Sequence, residues 1–338
     1  MKELYIIVNE KIYEKDNNYF CENKDIQSII NYLSFKYNLI VISRFSASIK
    51  PFRLNKVLKI LNLKLTKLLK FFPFIFGFLR KRKILIISIT PFNFIIFLIF
   101  KIFFICKFYL YLRSNGYEEY ETILGKKYIW IYDFMFKYMI KYSEVISCHE
   151  RLYKKKCHIL YPSELNFSWK KKIKKNSYIN NTINILYVGR FKVEKGIYSL
   201  IDIHSKLPNN IKLTLVGNGD NIKINDERIR LINFVKNEKQ LINIYDSANI
   251  FILPSYTESH PKVIDESLSR MRPVIIFNDI KYVIQDRYGV FSVKRSHLEL
   301  IKIINYLKNN NQLIHNLLKK NILPQRKDFL KNLYEIIH

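Results

Sequence analysis

The sequence predicts an α/β protein built from two Rossmann-like, doubly wound domains that face each other across a cleft. Apolar runs of strand length alternate with segments of helix length, as in parallel sheets covered by helices on both faces. The alternation stops at a polar, basic stretch and then begins again. The chain has 338 residues, of which 49% are hydrophobic, and this suits two cores of similar size.

The first half begins with an apolar run at residues 4–8, predicted to be a strand and followed by an irregular loop. Because no small-residue cleavage site follows the run, we do not expect a signal peptide. The other elements predicted in this half are strands at 39–43, 83–89, 144–147 and 158–160 and helices at 25–35, around 53–70, after 93 and at 132–142.

The helix around residues 53–70 is predicted to be basic and amphipathic. Eleven basic residues and no acidic residue lie from Lys50 to Lys83. Such a helix can lie in the headgroup layer of an anionic bilayer, where each cation contributes about 1 kcal/mol. A packed helix with a solvated basic face is the alternative. The cations that share one face at helical pitch are Arg53, Lys56, Lys59, Lys64, Lys67 and Lys70.

Residues 84–105 form an apolar segment that is nearly long enough to span a bilayer. Polar residues and a proline interrupt this segment. We therefore expect a buried strand over 84–89, a turn at Thr90 and Pro91, and a buried helix after Asn93, with a single membrane span as the alternative.

A polar, basic stretch at residues 168–181 is predicted to be an interdomain linker. It separates a domain at 1–167 from a domain at 182–300, and helices at 301–338 could pack back toward the N-terminal domain. Elements predicted in the second domain are strands at 183–188, 212–216, 229–234, 250–253 and 273–277 and helices at 197–206, 239–248 and 262–270.

The formal charge of the chain is +29, from 57 Lys and Arg against 28 Asp and Glu. This excess favours a nucleic acid, an anionic membrane or a phosphorylated substrate as partner. Nucleic acid is not expected, because the sequence has no zinc-ligand spacing and no aromatic RNA-binding motif. Four cysteines without close pairing favour free thiols in the cytoplasm, and no metal site is expected.

Three loops of the second domain carry candidate site residues. Gly189, Arg190 and Lys195 follow the strand NILYV, and two cations beside a helix start can bind a pyrophosphate. The next strand ends in Gly217, Asn218 and Gly219, where glycine allows close backbone approach to a ligand or a hairpin turn.

The third loop leads into a helix for which Pro261 suits the first position and His260 the N-cap. The amides at such a helix start can face a diphosphate. Glu258 and Glu266 flank the helix start with the spacing E-x7-E, and a carboxylate can accept hydrogen bonds from two sugar hydroxyls. Solvated surface charges are the alternative for both glutamates.

Together these segments resemble the group 1, family 4-like retaining glycosyltransferases, which have the GT-B fold. The stretches that carry the resemblance are YVGRFKVEKG, LTLVGNGD and LINIYDSANIFILPSYTESHPKVIDESLSRMRPVI. Their order and spacing also agree with that family.

The resemblance implies a nucleotide-sugar donor bound in the C-terminal domain and a saccharide or lipid-linked saccharide acceptor bound in the N-terminal domain. It assigns the diphosphate to Arg190 and Lys195, the donor-sugar hydroxyls to Glu258 and the ribose to Glu266. The expected catalytic residues are Arg190, Lys195 and Glu258. Transfer with retention, without a metal or a cofactor, is expected. The remaining expected donor-binding residues are Gly189, Gly217, Asn218, Gly219, Ser259, His260 and Pro261.

The predicted basic helix in the acceptor domain favours a lipid-linked acceptor, such as an intermediate of a bacterial surface polysaccharide (capsule, O-antigen or lipooligosaccharide). The expected protein is therefore a cytoplasmic enzyme at the inner face of the cytoplasmic membrane. The alternatives are an inactive relative of the same fold that binds a nucleotide or a partner, and a basic nucleic-acid-binding protein.

Several features depart from the family pattern. Met271 stands where the family often has Gly, the first strand lacks a glycine-rich loop, and no His precedes His149. The acceptor side therefore has no assigned residue. A polar island in the N-terminal domain either lines the cleft or forms a solvent loop between two helices, and it consists of Arg113, Ser114, Asn115, Gly116 and Glu118.

Overall fold

The chain divides into two compact units, Met1–Pro162 with Lys327–His338, and Ser163–Arg326. Each unit contains a mainly parallel sheet with helices packed against it. The structure is a computed structural model, and it describes residues 2–55, 59–63, 82–175, 182–220, 222 and 224–338.

The elements of the first unit alternate between strands and helices. Its strands are β1 (Glu3–Lys15), β2 (Asn18–Cys21), β3 (Asn38–Phe45), β4 (Phe52–Arg53), β5 (Lys59–Leu63), β6 (Arg82–Ile87), β7 (Cys106–Leu112), β8 (Ser143–Ser147) and β9 (His158–Ile159). Its helices before residue 163 are α1 (Lys24–Ser34), α2 (Pro91–Phe103), α3 (Gly116–Leu124) and α4 (Ile129–Lys141).

The second unit has strands in the order β12-β11-β10-β13-β14-β15, and every pairing is parallel. These strands are β10 (Ile183–Val188), β11 (Ile211–Val216), β12 (Ile229–Ile232), β13 (Ile250–Leu253), β14 (Val274–Phe277) and β15 (Val290–Val293). The helices that follow residue 182 are α5 (Ile197–Ser205), α6 (Glu238–Ser247), α7 (Lys262–Ser269), α8 (His297–Asn309), α9 (Asn311–Leu318) and α10 (Arg326–Ile337).

Parallel pairing runs through the first unit in the order β5-β3-β1-β6-β7-β8-β9. Beyond this sheet, β1 continues into an antiparallel hairpin with β2. Asp16 and Asn17 form the turn with φ of 49° and 56°, as a two-residue hairpin turn requires. The prediction of an irregular loop after the first strand was therefore wrong.

The predicted basic helix is wrong wherever the structure describes that part of the chain. Arg53 lies in β4, and Lys59–Leu63 form β5, which pairs in parallel with β3. A short apolar run fits either a helix or a strand by periodicity, and here the hydrogen bonds to β3 decide. Residues 56–58 and 64–81, with Lys56, Lys64, Lys67 and Lys70, lie outside the described residues.

The division of residues 84–105 into a strand and a helix is confirmed by β6 and α2. Thr90 is the N-cap of α2, and its hydroxyl accepts a hydrogen bond from the Asn93 amide at 3.2 Å. The buried Asn93 side chain donates to the carbonyls of Ile87 and Ser88 at 2.8 and 2.9 Å, which fixes the turn between the elements. Within the described ranges, no helix is both long and apolar enough to cross a membrane.

The polar island joins β7, a strand that the sequence pattern did not reveal, to α3. The alternative of a loop between two helices was therefore wrong. Arg113 forms an ion pair with Asp25 at 2.8 Å, and the side chain of Asn115 caps α3 by accepting from the Tyr117 amide at 3.2 Å. These contacts give both island residues structural roles.

Helix α10 packs into the core of the first unit through Phe329, Leu330, Leu333 and Ile337. The hydroxyl of Tyr109 and the ammonium of Lys83 donate to the Ile337 carbonyl at 3.2 and 2.7 Å. Of the predicted C-terminal helices, α8 and α9 instead belong to the second unit.

The beginning of the predicted linker packs inside the second unit. Trp169 is buried in that core, and buried Arg270 donates to the carbonyls of Trp169 and Lys171, each at 2.8 Å. Arg270 also forms an ion pair with Asp246 at 2.7 Å. Residues 168–172 are therefore anchored, whereas residues 176–181 lie outside the described part of the chain.

Candidate functional site

Three neighbouring strands of the second unit, β11, β10 and β13, end at the same edge of the sheet. Gly217 follows β11, Gly189 follows β10 and Pro254 follows β13. Ligands of open α/β sheets bind beyond the carboxyl ends of the strands, so this edge is the position of a candidate site.

The loops after β10 and β11 lie against each other. Gly217 has φ of +153°, and a Cβ at this residue would lie 1.8 Å from the Gly189 carbonyl oxygen. The Phe191 amide donates to the Asn218 carbonyl at 2.8 Å, and Phe191 pairs with Gly219 in a parallel bridge. The alternative of a hairpin turn at Gly217–Gly219 is therefore wrong, because these residues pair with the neighbouring loop.

The turn that carries Lys195 lies against the loop after β13. Gly196 adopts φ of +69°, and a Cβ there would meet the Pro254 carbonyl oxygen at 2.0 Å. The Tyr256 amide donates to the Glu194 carbonyl at 3.0 Å. This close approach brings a cation from one loop to a carboxylate from the other.

Lys195 Nζ lies 2.7 Å from Glu258 Oε1, and the two side chains are 19% and 12% exposed. The hydroxyl of Ser255 donates to the same oxygen at 2.7 Å. Tyr282 holds the main chain of Glu258, since its hydroxyl accepts from the Glu258 amide at 3.0 Å and donates to the Glu258 carbonyl at 2.7 Å. Both side-chain contacts on Glu258 therefore use one carboxylate oxygen.

Arg190 lies on the same loop as Lys195 but extends into solvent. Its side chain is 67% exposed, and its guanidinium is 3.9 Å from Glu194. The Tyr187 hydroxyl donates to the Arg190 carbonyl at 2.7 Å, which anchors the backbone. The structure thus brings Lys195 and Glu258 together and gives no contact that joins Arg190 to either.

Glu266 lies on α7, and its Oε2 accepts a hydrogen bond from the buried Tyr245 hydroxyl at 2.8 Å. Burial, and then the adjacent Glu266 carboxylate, raise the pKa of Tyr245 well above its ordinary value. Tyr245 therefore remains a neutral donor that orients Glu266. No contact among the described residues joins Glu266 to Glu258.

The start of α7 differs by one residue from the sequence expectation. Pro261, with φ −77° and ψ 96°, is the N-cap, and Lys262 is the first helical residue, because Pro261 is still extended. The His260 side chain is buried, with Nε2 3.5 Å from Asp265, so it points into the protein. Ser259 lies in the loop before these residues, and the structure gives it no contact with the Lys195–Glu258 pair.

Asp265 connects α7 to the segment after β14. Its carboxylate lies 2.6 Å from Arg287 Nε and is 1% exposed. Burial favours the neutral acid, but the His260 hydrogen bond and the Arg287 guanidinium together lower the pKa of Asp265. The ionised Asp265 therefore holds the helix start in place.

Arg295 is a further residue of this region that the sequence pattern did not reveal. Its guanidinium lies 4.0 Å from the Tyr256 ring centroid and donates to the Ser255 carbonyl at 3.4 Å and to Asp279 at 2.8 Å. Arg295 follows β15, a strand that was not predicted. Tyr282 was missed as well, because its contacts join segments that are far apart in sequence.

Met271 stands directly after α7 and has φ of +57°. Its amide donates to the Leu268 carbonyl, and the Arg272 amide donates to the Ser267 carbonyl, both at 3.0 Å, which is the Schellman pattern of a helix end. Glycine adopts this left-handed conformation without a Cβ penalty. The glycine that the family often has at this position thus has a local backbone explanation.

Comparison with known proteins supports the resemblance. Residues 182–310 match the family model described as glycosyl transferases group 1. An uncharacterized glycosyltransferase of Haemophilus influenzae is 26% identical over 174 residues, covering 43% of this chain and 49% of that protein. The putative teichuronic acid biosynthesis glycosyltransferase TuaC of Bacillus subtilis is 32% identical over 90 residues, covering 27% of this chain and 23% of that protein.

The chain therefore spans at most about half the length of these relatives, 49% and 23%. Anabaena HepE, solved in complex with UDP-glucose, aligns over 100% of this chain and 99% of its own with a TM-score of 0.68 and 12% identity. This likeness concerns the fold. The chain has the GT-B fold, and its residues 182–310 are similar to the glycosyl transferases of group 1.

Proposed function

We propose that the chain is a retaining glycosyltransferase that moves a sugar from a nucleotide-sugar donor to a saccharide or lipid-linked saccharide acceptor. The donor occupies the second unit, at the edge formed by the ends of β11, β10 and β13. The acceptor binds in the first unit. The reaction uses neither a metal nor a cofactor, because protein cations and helix amides supply the charge stabilisation.

The observation that carries this proposal is the contact between Lys195 and Glu258 at 2.7 Å. These residues are 63 positions apart, and the resemblance assigns them to the two ends of the bond that breaks in a nucleotide sugar. Lys195 would contact the diphosphate, and Glu258 would accept hydrogen bonds from the donor sugar. Their proximity matches a ligand in which phosphate and sugar are adjacent.

Charge development explains the roles of the cations. As the bond between the sugar and the diphosphate breaks, negative charge grows on the leaving oxygen, and a fixed cation stabilises the transition state more than the ground state. Lys195 is already fixed by Glu258, whereas the exposed Arg190 would turn onto the diphosphate when the donor binds. The departing diphosphate would accept the acceptor's proton on the same face of the sugar, which gives retention.

Glu266 would hold the ribose through the carboxylate that Tyr245 orients. The backbone of Ser259–Pro261 and the first amides of α7 would lie along the phosphates, with Gly189 and Gly217–Gly219 allowing close backbone approach. His260 would contribute through its main chain, because its side chain is 2% exposed and faces Asp265.

The biological role that we propose is bacterial surface polysaccharide synthesis in the cytoplasm, at the inner face of the membrane. Support for this role comes from TuaC, which is described as a putative teichuronic acid biosynthesis glycosyltransferase. HepE, which was solved with UDP-glucose, supports a nucleotide-sugar donor. A lipid-linked acceptor also explains why a strongly cationic protein would approach an anionic membrane.

The test is a two-step screen of the purified chain. Thermal shift over UDP, GDP and ADP sugars identifies the donor, since a ligand at 100 times its Kd stabilises by about 2.7 kcal/mol. Release of free nucleotide is then measured with and without saccharide acceptors. Acceptor-dependent release supports the transferase, and binding without release supports the inactive relative.

A basic nucleic-acid-binding protein would give a third pattern. It would show no stabilisation by any nucleotide sugar and a steeply salt-dependent affinity for DNA or RNA. That result would contradict the transferase proposal.

A further inference from the structure

Helix α2 presents an apolar face to solvent. Ile95 and Ile102 are 44% and 70% exposed, and their spacing of seven residues places them on the same side of the helix. Pro91 lies on this side as well, and Leu98 is partly exposed there. A surface helix of a globular protein normally carries polar residues on its solvent side, so this face is suited to a partner.

Helix α4 lies beside α2 and extends the same surface. The rings of Phe94 and Phe134 are 5.8 Å apart, which joins the helices. Trp130 and Phe134 are 67% and 57% exposed, and Lys137 and Lys141 follow them on the same helical stripe. We call the exposed residues of these two helices the α2–α4 face.

Cations flank the apolar residues. The Lys101 ammonium lies 3.3 Å from the centroid of the Tyr142 ring, and Lys126 and Lys127 come just before α4. Lys137 pairs with Asp133 at 2.7 Å, and Lys126 lies 3.5 Å from Glu121, so part of the charge is compensated. The segments α2, α4 and Lys126–Tyr128 together contain five lysines and one acidic residue, Asp133.

We infer that the α2–α4 face docks on an anionic lipid bilayer. Exposed apolar residues would enter the acyl boundary, Trp130 and Tyr142 would sit at the headgroup level, and the lysines would meet the lipid phosphates. A second copy of the chain fits less well, because a two-fold contact would bring the lysines of both copies into one interface. The inference rests on the membrane location proposed above and assigns a surface to it. Residues 56–58 and 64–81 of the predicted basic helix lie outside the described residues.

Tryptophan fluorescence gives a direct test, because the chain has two tryptophans and only Trp130 is exposed, Trp169 being 1% exposed. We expect vesicles of phosphatidylcholine with phosphatidylglycerol to shift the emission to shorter wavelength and to carry the protein in flotation. Trp130→Phe should remove most of the shift and retain flotation. An unchanged shift in that variant would overturn the proposal.

Two paired variants separate the contributions of apolar contact and charge. The first double variant, Ile102→Glu with Phe134→Glu, removes two apolar contacts. The second, Lys137→Glu with Lys141→Glu, reverses two charges. We expect each to lower the vesicle partition coefficient at least about tenfold. Lys331→Glu is the matched charge control, because Lys331 forms a similar i,i+4 pair with Glu335 at 3.6 Å. Ile322→Glu, at a residue that is 99% exposed in the second unit, is the apolar control.

Several results would overturn the inference. One is flotation of both paired variants at the parent level. Another is equal binding of the parent to neutral vesicles and to vesicles with phosphatidylglycerol. A third is loss of flotation only when Lys56, Lys64 and Lys67 are replaced by Glu. Conversion of a dimeric parent to a monomer by Ile102→Glu with Phe134→Glu would identify the face as a self-contact instead. Nucleotide release with a water-soluble acceptor is measured on the same proteins, so failure of docking and failure of the transferase proposal are distinguishable.

Discussion

Tyr282 holds the backbone of Glu258 through two hydrogen bonds, one from the Glu258 amide at 3.0 Å and one to the Glu258 carbonyl at 2.7 Å. One hydroxyl thus satisfies both main-chain polar groups of the residue assigned to the donor sugar. The contact joins the segment after β14 to the loop after β13. The position of the Glu258 carboxylate therefore depends on a residue 24 positions away.

Replacing Tyr282 by Phe should loosen this loop while retaining the ring. Loss of the two hydrogen bonds should lower the free energy of unfolding by about 1–2 kcal/mol. We also expect kcat/KM for the donor to fall roughly tenfold, because Glu258 would no longer be held in one position. Tyr306→Phe is the control, since Tyr306 is 43% exposed and its ring packs on Phe291. A parent-like kcat/KM for Tyr282→Phe would contradict this role.

Lys195→Ala should slow sugar transfer by about 3 kcal/mol of transition-state stabilisation, the magnitude seen when one well-placed donor is removed. Arg190→Ala should have an effect of similar size on kcat. Lys192→Ala is a matched control on the same loop, because Lys192 pairs with Asp220 at 2.7 Å instead of with Glu258. Single-turnover rates with saturating donor provide the measurement. If the Lys195 and Arg190 variants transfer sugar at the parent rate, the assignment of the diphosphate is wrong.

Gly196→Ala should damage both stability and activity. The new Cβ would lie 2.0 Å from the Pro254 carbonyl oxygen, so the backbone of the loop after β13 would have to move. Gly125→Ala is the comparison, because Gly125 also has positive φ, +90°, but a Cβ added there would meet nothing within 4 Å. Backbone strain alone costs about 1–3 kcal/mol, so we expect Gly196→Ala to exceed that range in urea unfolding. Only Gly196→Ala should reduce donor turnover.

Asp265→Asn should destabilise the second unit and change the pH dependence of unfolding. Removing one partner of a buried ion pair costs about 3 kcal/mol, because Arg287 is left without its counter-charge. The pKa of Asp265 is lowered in the folded state, so its contribution is present above the ordinary carboxyl pKa of 3.8 and is lost as the pH falls through the lower folded value.

The stability difference between parent and Asp265→Asn should therefore shrink on acidification, measured by urea unfolding from neutral pH to below pH 3.8. Asp286→Asn, at an exposed aspartate in the same segment, should follow the parent curve. A difference that stays constant with pH would show that the ion pair does not supply the stabilisation.

The positions of the candidate-site loops were largely predictable from sequence, because parallel strands are buried on both faces and appear as continuous apolar runs. The runs that became β10, β11 and β13 located the loops of Lys195, Gly217 and Glu258 correctly at strand ends. Lys195 and Glu258 lie on loops that follow the neighbouring strands β10 and β13, and the close approach of Gly196 to Pro254 brings the two side chains together. The order of the loops in the sequence did not reveal the 2.7 Å distance between Lys195 Nζ and Glu258 Oε1.

Other features depend on contacts between distant segments and were missed. Tyr282 and Arg295 look like ordinary surface residues until the fold brings them to the loop after β13. The strand β5 was mistaken for part of a helix because its pairing with β3, not its own period, decides its conformation. Met271 departs from the glycine that the family often has, and only the structure shows that the positive φ of this residue marks the end of α7.

The membership of α10 in the first unit has a consequence for synthesis on the ribosome. All of the second unit is translated before Phe329 and Leu333, which complete the core around Leu4. Residues 1–162 therefore expose part of their apolar core until residues 327–338 have been synthesised. A nascent chain halted before residue 327 would present this apolar surface to chaperones, although all of its second unit would already be synthesised.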